Sequence, residues 1–464
     1  MSDARPAGVV IAGTSSGVGK TTVTVGVVKA LRAMGLQVAP FKAGPDYIDP
    51  TYLATAAGQP CSNLDSWMMP PAALQAVFRR ASAGADVAIV EGVMGLFDGR
   101  GTDDEGSTAA LAKALGLPVI LVVDAAKTSR SAAATVLGFQ RFDPALRVAG
   151  VILNRVASER HAALCAGPIT ATTGLPVLGA LQRADSLHLP ERYLGLTPTV
   201  EGRASGTFFE AACERVANEV DLRELLRIAA EARMPVSANG SGDPWPAAPV
   251  DRQVRIAVAA DEAFSFAYPE NRALLEAWGA EVVPFSPLGD DVLPASVGAV
   301  YLGGGFPELY ASELAANHGL IESLRVAAAR GVEVYAECGG LMYVGEALTD
   351  EEGRTHAMAA LAPLRSTMAT GRRLTLGYRE AAAAVDGPHV VAGQVVRGHE
   401  FHHSAIEGAW DPRRAAYRLA PEGHAEGYAS GNVWASYLHL NFASDAGLAR
   451  RFIERAAAGE RRLR

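Results

Sequence analysis

The chain has 464 residues, 49% of them hydrophobic and 20% charged, with a formal net charge of −8. That length predicts two or three domains, and the acidic balance argues against a nucleic-acid surface. No apolar run approaches the ~20 residues needed to cross a bilayer, and the first residues lack a basic-then-apolar signal pattern. The four scattered cysteines, Cys61, Cys165, Cys213 and Cys338, suggest neither a CxxC metal site nor a disulfide framework. A cytoplasmic enzyme in a reducing compartment, without a membrane or nucleic-acid partner, is expected.

The apolar run Val9 to Ala12 reads as a buried strand. It leads into Gly13-Thr14-Ser15-Ser16-Gly17-Val18-Gly19-Lys20-Thr21, and then into Thr22 to Arg32, which has helical apolar spacing. Strand, glycine-rich turn and helix in that order form a phosphate site, because N–H groups of the loop and helix start face anionic oxygens and the helix dipole favours negative charge. The glycines let the backbone approach a ligand. Lys20 can reach the terminal phosphates, and the Thr21 hydroxyl can ligate Mg²⁺. One departure from the usual spacing is Thr14, which stands where a glycine is expected.

Gln37 to Phe41 reads as a second strand, and the loop from Lys42 to Pro50, with two prolines and a glycine, has a fixed path. It places Asp46 and Asp49 just after a strand, where open α/β sheets bind ligands; as plain turn residues they would cap nearby N–H groups. The strand Asp86 to Val90 ends in Glu91, the position from which a phosphate-loop enzyme holds Mg²⁺ opposite the loop hydroxyl. The glycine-rich loop Gly92 to Gly99 offers Asp98 as a substrate or metal contact, or as a turn aspartate. Further continuous apolar strands at 118–124 and 148–155, separated by helical stretches, predict a doubly wound α/β sheet covered on both faces. Asn154, at a strand end, has donor and acceptor groups for an adenine edge, although an isolated asparagine is more often a turn or cap.

Gly206 to Ala232 reads as one long helical tract, and the Pro-, Gly- and Ser-rich run from Met234 to Pro246 as a linker. The expected division is 1–233, a linker at 234–251, and a second α/β domain at 252–464. That domain opens with a strand from Val254 to Ala259 and a helix from Glu270 to Gly279. The strand Ala299 to Leu302 ends in Gly303-Gly304-Gly305-Phe306-Pro307-Glu308, where the Gly304 and Gly305 N–H groups are candidates for an oxyanion hole. Val332 to Ala336 runs into Glu337-Cys338-Gly339-Gly340 and a helix, the layout of a nucleophile elbow. The helix start is expected to lower the Cys338 pKa, whereas a lone cysteine is usually buried packing. His399, His402 and His403 cluster without an HExxH spacing or a cysteine partner, so zinc is not indicated. His439 ends an alternating apolar strand and is the expected general base.

The strings Lys42 to Pro50, Asn63 to Met68, Glu91 to Gly99, Tyr301 to Glu308, Glu337 to Gly340 and Gly398 to Ser404 carry a resemblance across nearly the whole chain. The N-terminal half resembles the dethiobiotin-synthetase-like branch of phosphate-loop ligases, for which Thr14 is a marker. The C-terminal half resembles a class I glutamine amidotransferase domain. The combination is similar to the cobyrinic and hydrogenobyrinic acid a,c-diamide synthases of cobalamin biosynthesis. The resemblance implies ATP and glutamine as co-substrates, Mg²⁺ as cofactor, a corrinoid substrate, and a homodimer. It implies that Gly13, Thr14, Gly17, Val18, Gly19, Lys20, Thr21 and Asn154 bind ATP, with Asn154 at the adenine. Thr21, Asp46 and Glu91 would serve Mg²⁺, while Asp49 and Asp98 would place the substrate carboxylate. Cys338 would be the glutaminase nucleophile and His439 its base. Arg130, Arg192, Arg372, Arg373 and Arg397 are candidates for a pocket that receives a polycarboxylate.

Two positions depart from the amidotransferase pattern: Ala336 replaces a glycine before the elbow, and Asn441 replaces the triad acid, for which Glu308 or Glu337 could substitute. A cobyric acid synthase, which amidates other side chains, is disfavoured by Gly44-Pro45-Asp46-Tyr47-Ile48-Asp49. A partition-type ATPase with an inactive glutaminase domain is disfavoured by the intact Cys338 and His439.

Overall fold

The computed structural model describes residues 7–183, 191–192, 195–196, 206–233, 242–368, 374–408 and 410–463. The chain divides into two compact units, Met1–Ser241 and Gly242–Arg464.

The first unit is built on β1 (Ala7–Gly13), β2 (Val38–Ala43), β3 (Ser62–Leu64), β4 (Val87–Glu91), β5 (Val119–Asp124), β6 (Val148–Val156) and β7 (Val177–Gln182). Their spatial order is β3-β2-β4-β1-β5-β6-β7, with every pair parallel. Both faces are covered by helices, which is why the strands are apolar runs: every residue of β2 and of β4 is buried. The chain winds to one side of β1 for β2 to β4 and to the other for β5 to β7. The turn after β1 therefore opens where the winding reverses, the place at which such sheets bind ligands. Helix α1 (Lys20–Ala33) follows, burying Val23, Val27 and Leu31, each worth about 1.5–3 kcal/mol of apolar transfer. It stops at Gly35, whose φ of 88° lets its N–H turn back to the Arg32 carbonyl.

The long helical tract expected from Gly206 is two helices, Gly206–Glu219 and Leu222–Ala229. The break is tertiary: Val220 bridges to Gly179, and the Asp221 N–H donates to the Leu178 carbonyl at 2.7 Å. The Asp221 side chain then caps the second helix by accepting from the Glu224 N–H at 2.9 Å. Of the expected linker, 234–241 lie outside the described residues. From Gly242 the chain belongs to the second unit, where Trp278 Nε1 donates to the Pro244 carbonyl at 2.9 Å.

The second unit has a six-stranded sheet in the order Ala280–Phe285, Val254–Ala259, Ala299–Leu302, Glu333–Glu337, Val433–Ser436 and Tyr428–Ser430. The first five are parallel and the last is antiparallel. The strand expected to end at His439 stops at Ser436, and His439 instead pairs with His399 in a separate bridge. Among the described residues, no helix is long and apolar enough to cross a membrane.

Candidate functional site

Gly17 and Gly19 take φ values of 77° and 90°, a region in which a side chain is strained, and so let the loop after β1 fold over itself. Lys20 Nζ donates to the Ser15 carbonyl at 3.2 Å, inside the loop. Burial and the neighbouring Lys42 charge hold its pKa below the ordinary lysine value. Thr21 Oγ1 donates to Glu91 Oε1 at 2.7 Å and lies 3.4 Å from Asp49 Oδ2.

Lys42 stands outside the expected set of site residues, yet it ties the others together. It is buried at the end of β2 and donates to Asp49 Oδ2 at 2.6 Å, Glu91 Oε1 at 3.0 Å and the Gly92 carbonyl at 3.3 Å, with Asp46 Oδ2 at 3.7 Å. Burial opposes its charge, but the three carboxylates outweigh that and hold its pKa well above the ordinary value. Burial and the Asp49 charge push the Asp46 carboxyl up to about 6. Burial likewise lifts Glu91 to about 7, against the pull of Lys42. Asp49 resists its own burial through Lys42 and stays below the usual range. Asp46 also accepts from the Ile48 and Asp49 amides at 2.9 and 3.0 Å, so it shapes the loop as well as facing the cage. The sequence does contain a signal for Lys42: a lysine at the end of an apolar strand must be paired if it is to be buried.

Asn154 braces the phosphate loop. Its Nδ2 donates to the Val18 carbonyl at 2.8 Å, its Oδ1 accepts the Arg155 N–H at 2.9 Å, and its side chain fills the space that a Cβ on Gly19 would need. Each amide atom retains one further hydrogen-bonding capacity for a base. Asp98, exposed, accepts the Gly95 N–H at 2.9 Å, and this loop is anchored on the strand before the phosphate site by Leu96 N–H to the Gly13 carbonyl. Arg130 is exposed at the start of the helix Ser131–Phe142. Arg397 pairs with Glu380 at 3.0 Å. Arg372, Arg373 and the side chain of Arg192 lie outside the described residues.

In the second unit Cys338 sits between the strand Glu333–Glu337 and the helix Gly339–Val344, with φ 49° and ψ −100°. A non-glycine residue in that region is strained and is held there by its surroundings. Its N–H donates to the Ser436 carbonyl at 2.7 Å, and its Sγ lies 3.7 Å from the Phe401 carbonyl. The expected lowering of its pKa does not hold. Burial, with the Glu308 charge adding to it, pushes the thiol well above its ordinary value, and the Gly339 N–H offsets only part of this. Ala336 is fully buried between Leu302 and Ala435, so the missing glycine is absorbed within the sheet.

The expected oxyanion pair needs one correction. The Gly304 N–H is committed to the Phe266 carbonyl at 3.0 Å, in a bridge returned at 2.9 Å, and is not available to an anion. Gly305, at φ 155°, places its nitrogen against Gly339, the residue that follows Cys338. Gly304 serves differently: the His439 imidazole occupies the space a Cβ there would need. Burial, with His399 and His402 adding to it, takes His439 down to about 3, so the ring is neutral at physiological pH.

Asn441 is turned elsewhere. Its Nδ2 donates to Glu270 Oε1 at 2.6 Å and its Oδ1 accepts from the Ala443 N–H at 3.0 Å. Glu337 accepts from Tyr301 at 2.9 Å, Tyr335 at 2.6 Å and the Leu440 N–H at 3.0 Å, which ties it to the framework beneath the elbow. Glu308 remains the carboxylate whose charge reaches Cys338 most strongly.

Residues 9–195 match the CobQ/CobB/MinD/ParA nucleotide binding domain, and residues 255–447 match the CobB/CobQ-like glutamine amidotransferase domain. With the phosphate loop in one unit and the cysteine elbow in the other, these define a glutamine-dependent ligase. The chain is 44% identical over 453 residues to the cobyrinate a,c-diamide synthase of Dehalococcoides mccartyi, covering 96% of this chain and 97% of that one. It is 45% identical over 450 residues to the Salmonella typhimurium protein of the same name, covering 95% and 96%. It is 43% identical to the hydrogenobyrinate a,c-diamide synthase of Streptomyces coelicolor, covering 96% of each. The chain belongs to the a,c-diamide synthase family.

Proposed function

We propose that this chain uses ATP and glutamine to amidate the a and c acetate side chains of a corrinoid acid, cobyrinate or its metal-free counterpart hydrogenobyrinate, in cobalamin biosynthesis. The observation that carries the reading is similarity over nearly the whole length to relatives bearing those names, on a chain that holds both a phosphate loop and a cysteine elbow. The cytoplasm, which supplies ATP and glutamine, is the proposed compartment.

A carboxylate is a poor acyl electrophile, and phosphorylation corrects that. An acetate oxygen attacks the γ-phosphorus in line, ADP leaves, and an acyl phosphate results. Lys20 and the loop amides neutralise charge on the transferring group. Asp49 and Asp98 orient the acetate, and Lys42 keeps the carboxylates of the cage from repelling it. Thr21 Oγ1 and Glu91 are hard oxygen donors, and Glu91 Oε2 is buried with no hydrogen-bond partner among the described residues, a set that fits Mg²⁺. When bound there with ATP, Mg²⁺ supplies charge neutralisation on the phosphates. A cluster of three protein ligands is not required, since this ion usually keeps waters and substrate phosphates.

At the second centre, Cys338 Sγ attacks the glutamine carboxamide carbon while His439 takes the thiol proton. The oxyanion is received by the Gly305 and Gly339 amides. The C–N bond breaks, ammonia leaves with the proton returned by His439, and water hydrolyses the thioester to glutamate. Ammonia then displaces phosphate from the acyl phosphate. Incubation with either corrinoid acid, ATP, Mg²⁺ and glutamine should give the a,c-diamide by mass spectrometry. Cys338→Ala should retain ammonia-driven synthesis and lose the glutamine-driven reaction. Amides on other side chains, or ATP hydrolysis with an unchanged macrocycle, would overturn the reading.

A further inference from the structure

We infer that His402 binds the carboxamide nitrogen of glutamine, its Nε2 accepting an N–H from the amide that Cys338 attacks. This rests on the reading of Cys338 as the glutaminase nucleophile.

The Phe401 carbonyl, 3.7 Å from Cys338 Sγ, belongs to the residue before His402. His402 Nδ1 lies 2.8 Å from the Ser404 carbonyl. A carbonyl can only accept, so Nδ1 carries the ring proton and Nε2 presents a lone pair. That nitrogen is buried and has no hydrogen-bond partner among the described residues. A buried acceptor left unpaired costs stability, and a donor from a ligand would recover it. Burial also takes the His402 pKa to about 4, so the ring stays an acceptor at neutral pH.

The ring cannot easily turn away. It stacks on Tyr437 with centroids 3.8 Å apart and planes 9° from parallel. The Tyr437 hydroxyl accepts from Ser404 Oγ at 2.9 Å, and Ser404 Oγ is also 3.4 Å from Met342 Sδ, on the helix that begins at the elbow. Tyr437 follows Ser436, whose carbonyl holds the Cys338 N–H. The groups that orient His402, the Ser404 carbonyl and the Tyr437 ring, are thus themselves tied to the helix after Cys338 and to the strand that holds its N–H.

The nearby cation does not fill the role, because Arg379 is committed to Glu400 at 2.6 Å and to the Tyr378 carbonyl at 3.1 Å. A neutral N–H donor is what the lone pair fits. The glutamine carboxamide has two, whereas the side-chain carboxylate of the glutamate product has none and meets lone pair with lone pair. His402 would therefore favour substrate over product.

The test uses the full-length enzyme. His402→Phe keeps a ring on Tyr437 and removes Nε2; His402→Gln restores an amide oxygen at the reach of Nε2. Glutamine hydrolysis is followed for KM and kcat, glutamate for its inhibition constant, and synthesis is also driven by ammonia. His402→Phe should raise the glutamine KM roughly tenfold or more, leave glutamate inhibition unweakened, and spare ammonia-driven synthesis, with His402→Gln recovering much of the loss. An unchanged glutamine KM in His402→Phe, or an equal fall in the ammonia-driven rate, overturns the inference. Persistent glutaminase activity in Cys338→Ala would instead overturn the nucleophile reading beneath it.

Discussion

Lys42→Met tests the charge cage most directly, because it keeps a buried stem of similar length and removes only the ammonium. The change leaves Asp49, Glu91 and Asp46, which face Lys42 at 2.6, 3.0 and 3.7 Å, without their common counter-ion. Removing one partner of a buried ion pair costs about 3–5 kcal/mol. Its pH dependence follows from the carboxyls. Glu91 and Asp46 already titrate near about 7 and about 6, raised by burial and lowered by Lys42. Without Lys42 both move further up, while the unfolded chain releases these protons near about 4. The folded variant then binds more protons than the unfolded chain, so its stability falls as pH rises through that window. The deficit against the parent should be small at pH 5 and largest at pH 8. At roughly 2–4 °C per kcal/mol for a unit of this size, the first unit should melt roughly 6–20 °C lower at pH 8 by calorimetry. A shift under about 2 °C at pH 8, or the same shift at both pH values, would refute the reasoning.

Lys20→Ala should lower amidation with glutamine and with ammonia alike, by about 10²–10³ or more; a retained ammonia-driven rate would remove Lys20 from phosphoryl transfer. Since burial holds the Cys338 thiol well above its ordinary pKa, its alkylation by iodoacetamide should be slow at pH 7 and still climbing above pH 9, read by peptide mass spectrometry. A plateau below pH 8 would mean a resting thiolate. Asn441→Asp, which restores the acid of the amidotransferase pattern, should not speed glutamine hydrolysis. It would set a carboxylate against Glu270, now held at 2.6 Å by the Asn441 amide, and destabilise the second unit by about 2 kcal/mol or more. A faster glutaminase would contradict this placement.

The phosphate loop and its strands were legible because their signals are local: an apolar run, glycines at the tight turn, and a lysine–threonine pair at the helix start. The charge cage was only half legible. Lys42 and Glu91 are far apart in sequence and become direct neighbours through the register of β2 on β4. The acids stood out as acids at strand ends, while the lysine that pairs them looked like part of a loop. The same limit explains Gly304, whose amide is claimed by Phe266 across a bridge that no local pattern announces. It also explains the helix break at Val220, which is imposed by pairing with β7. For Cys338 the local argument, a helix start, pointed to a lower pKa, and the tertiary fact of burial reversed it.

That reversal changes how the second centre has to work. Its resting groups are neutral: the Cys338 thiol, held up by burial, and His439, His399 and His402, whose rings burial takes to about 3, 3 and 4. The Glu337 carboxyl, lifted by burial to about 7, is fastened by two phenols and an amide to the framework. A thiolate–imidazolium pair would be costly in such surroundings, so the proton is best moved when a bound carboxamide gives the developing charge somewhere to go. On the proposed mechanism the Gly305 and Gly339 amides supply that place only once a carbonyl lies between them and the sulfur. On that mechanism, burial therefore ties formation of the thiolate to the presence of glutamine, in contrast to the first unit, where Lys42 and Asp49 hold their charges before any substrate arrives.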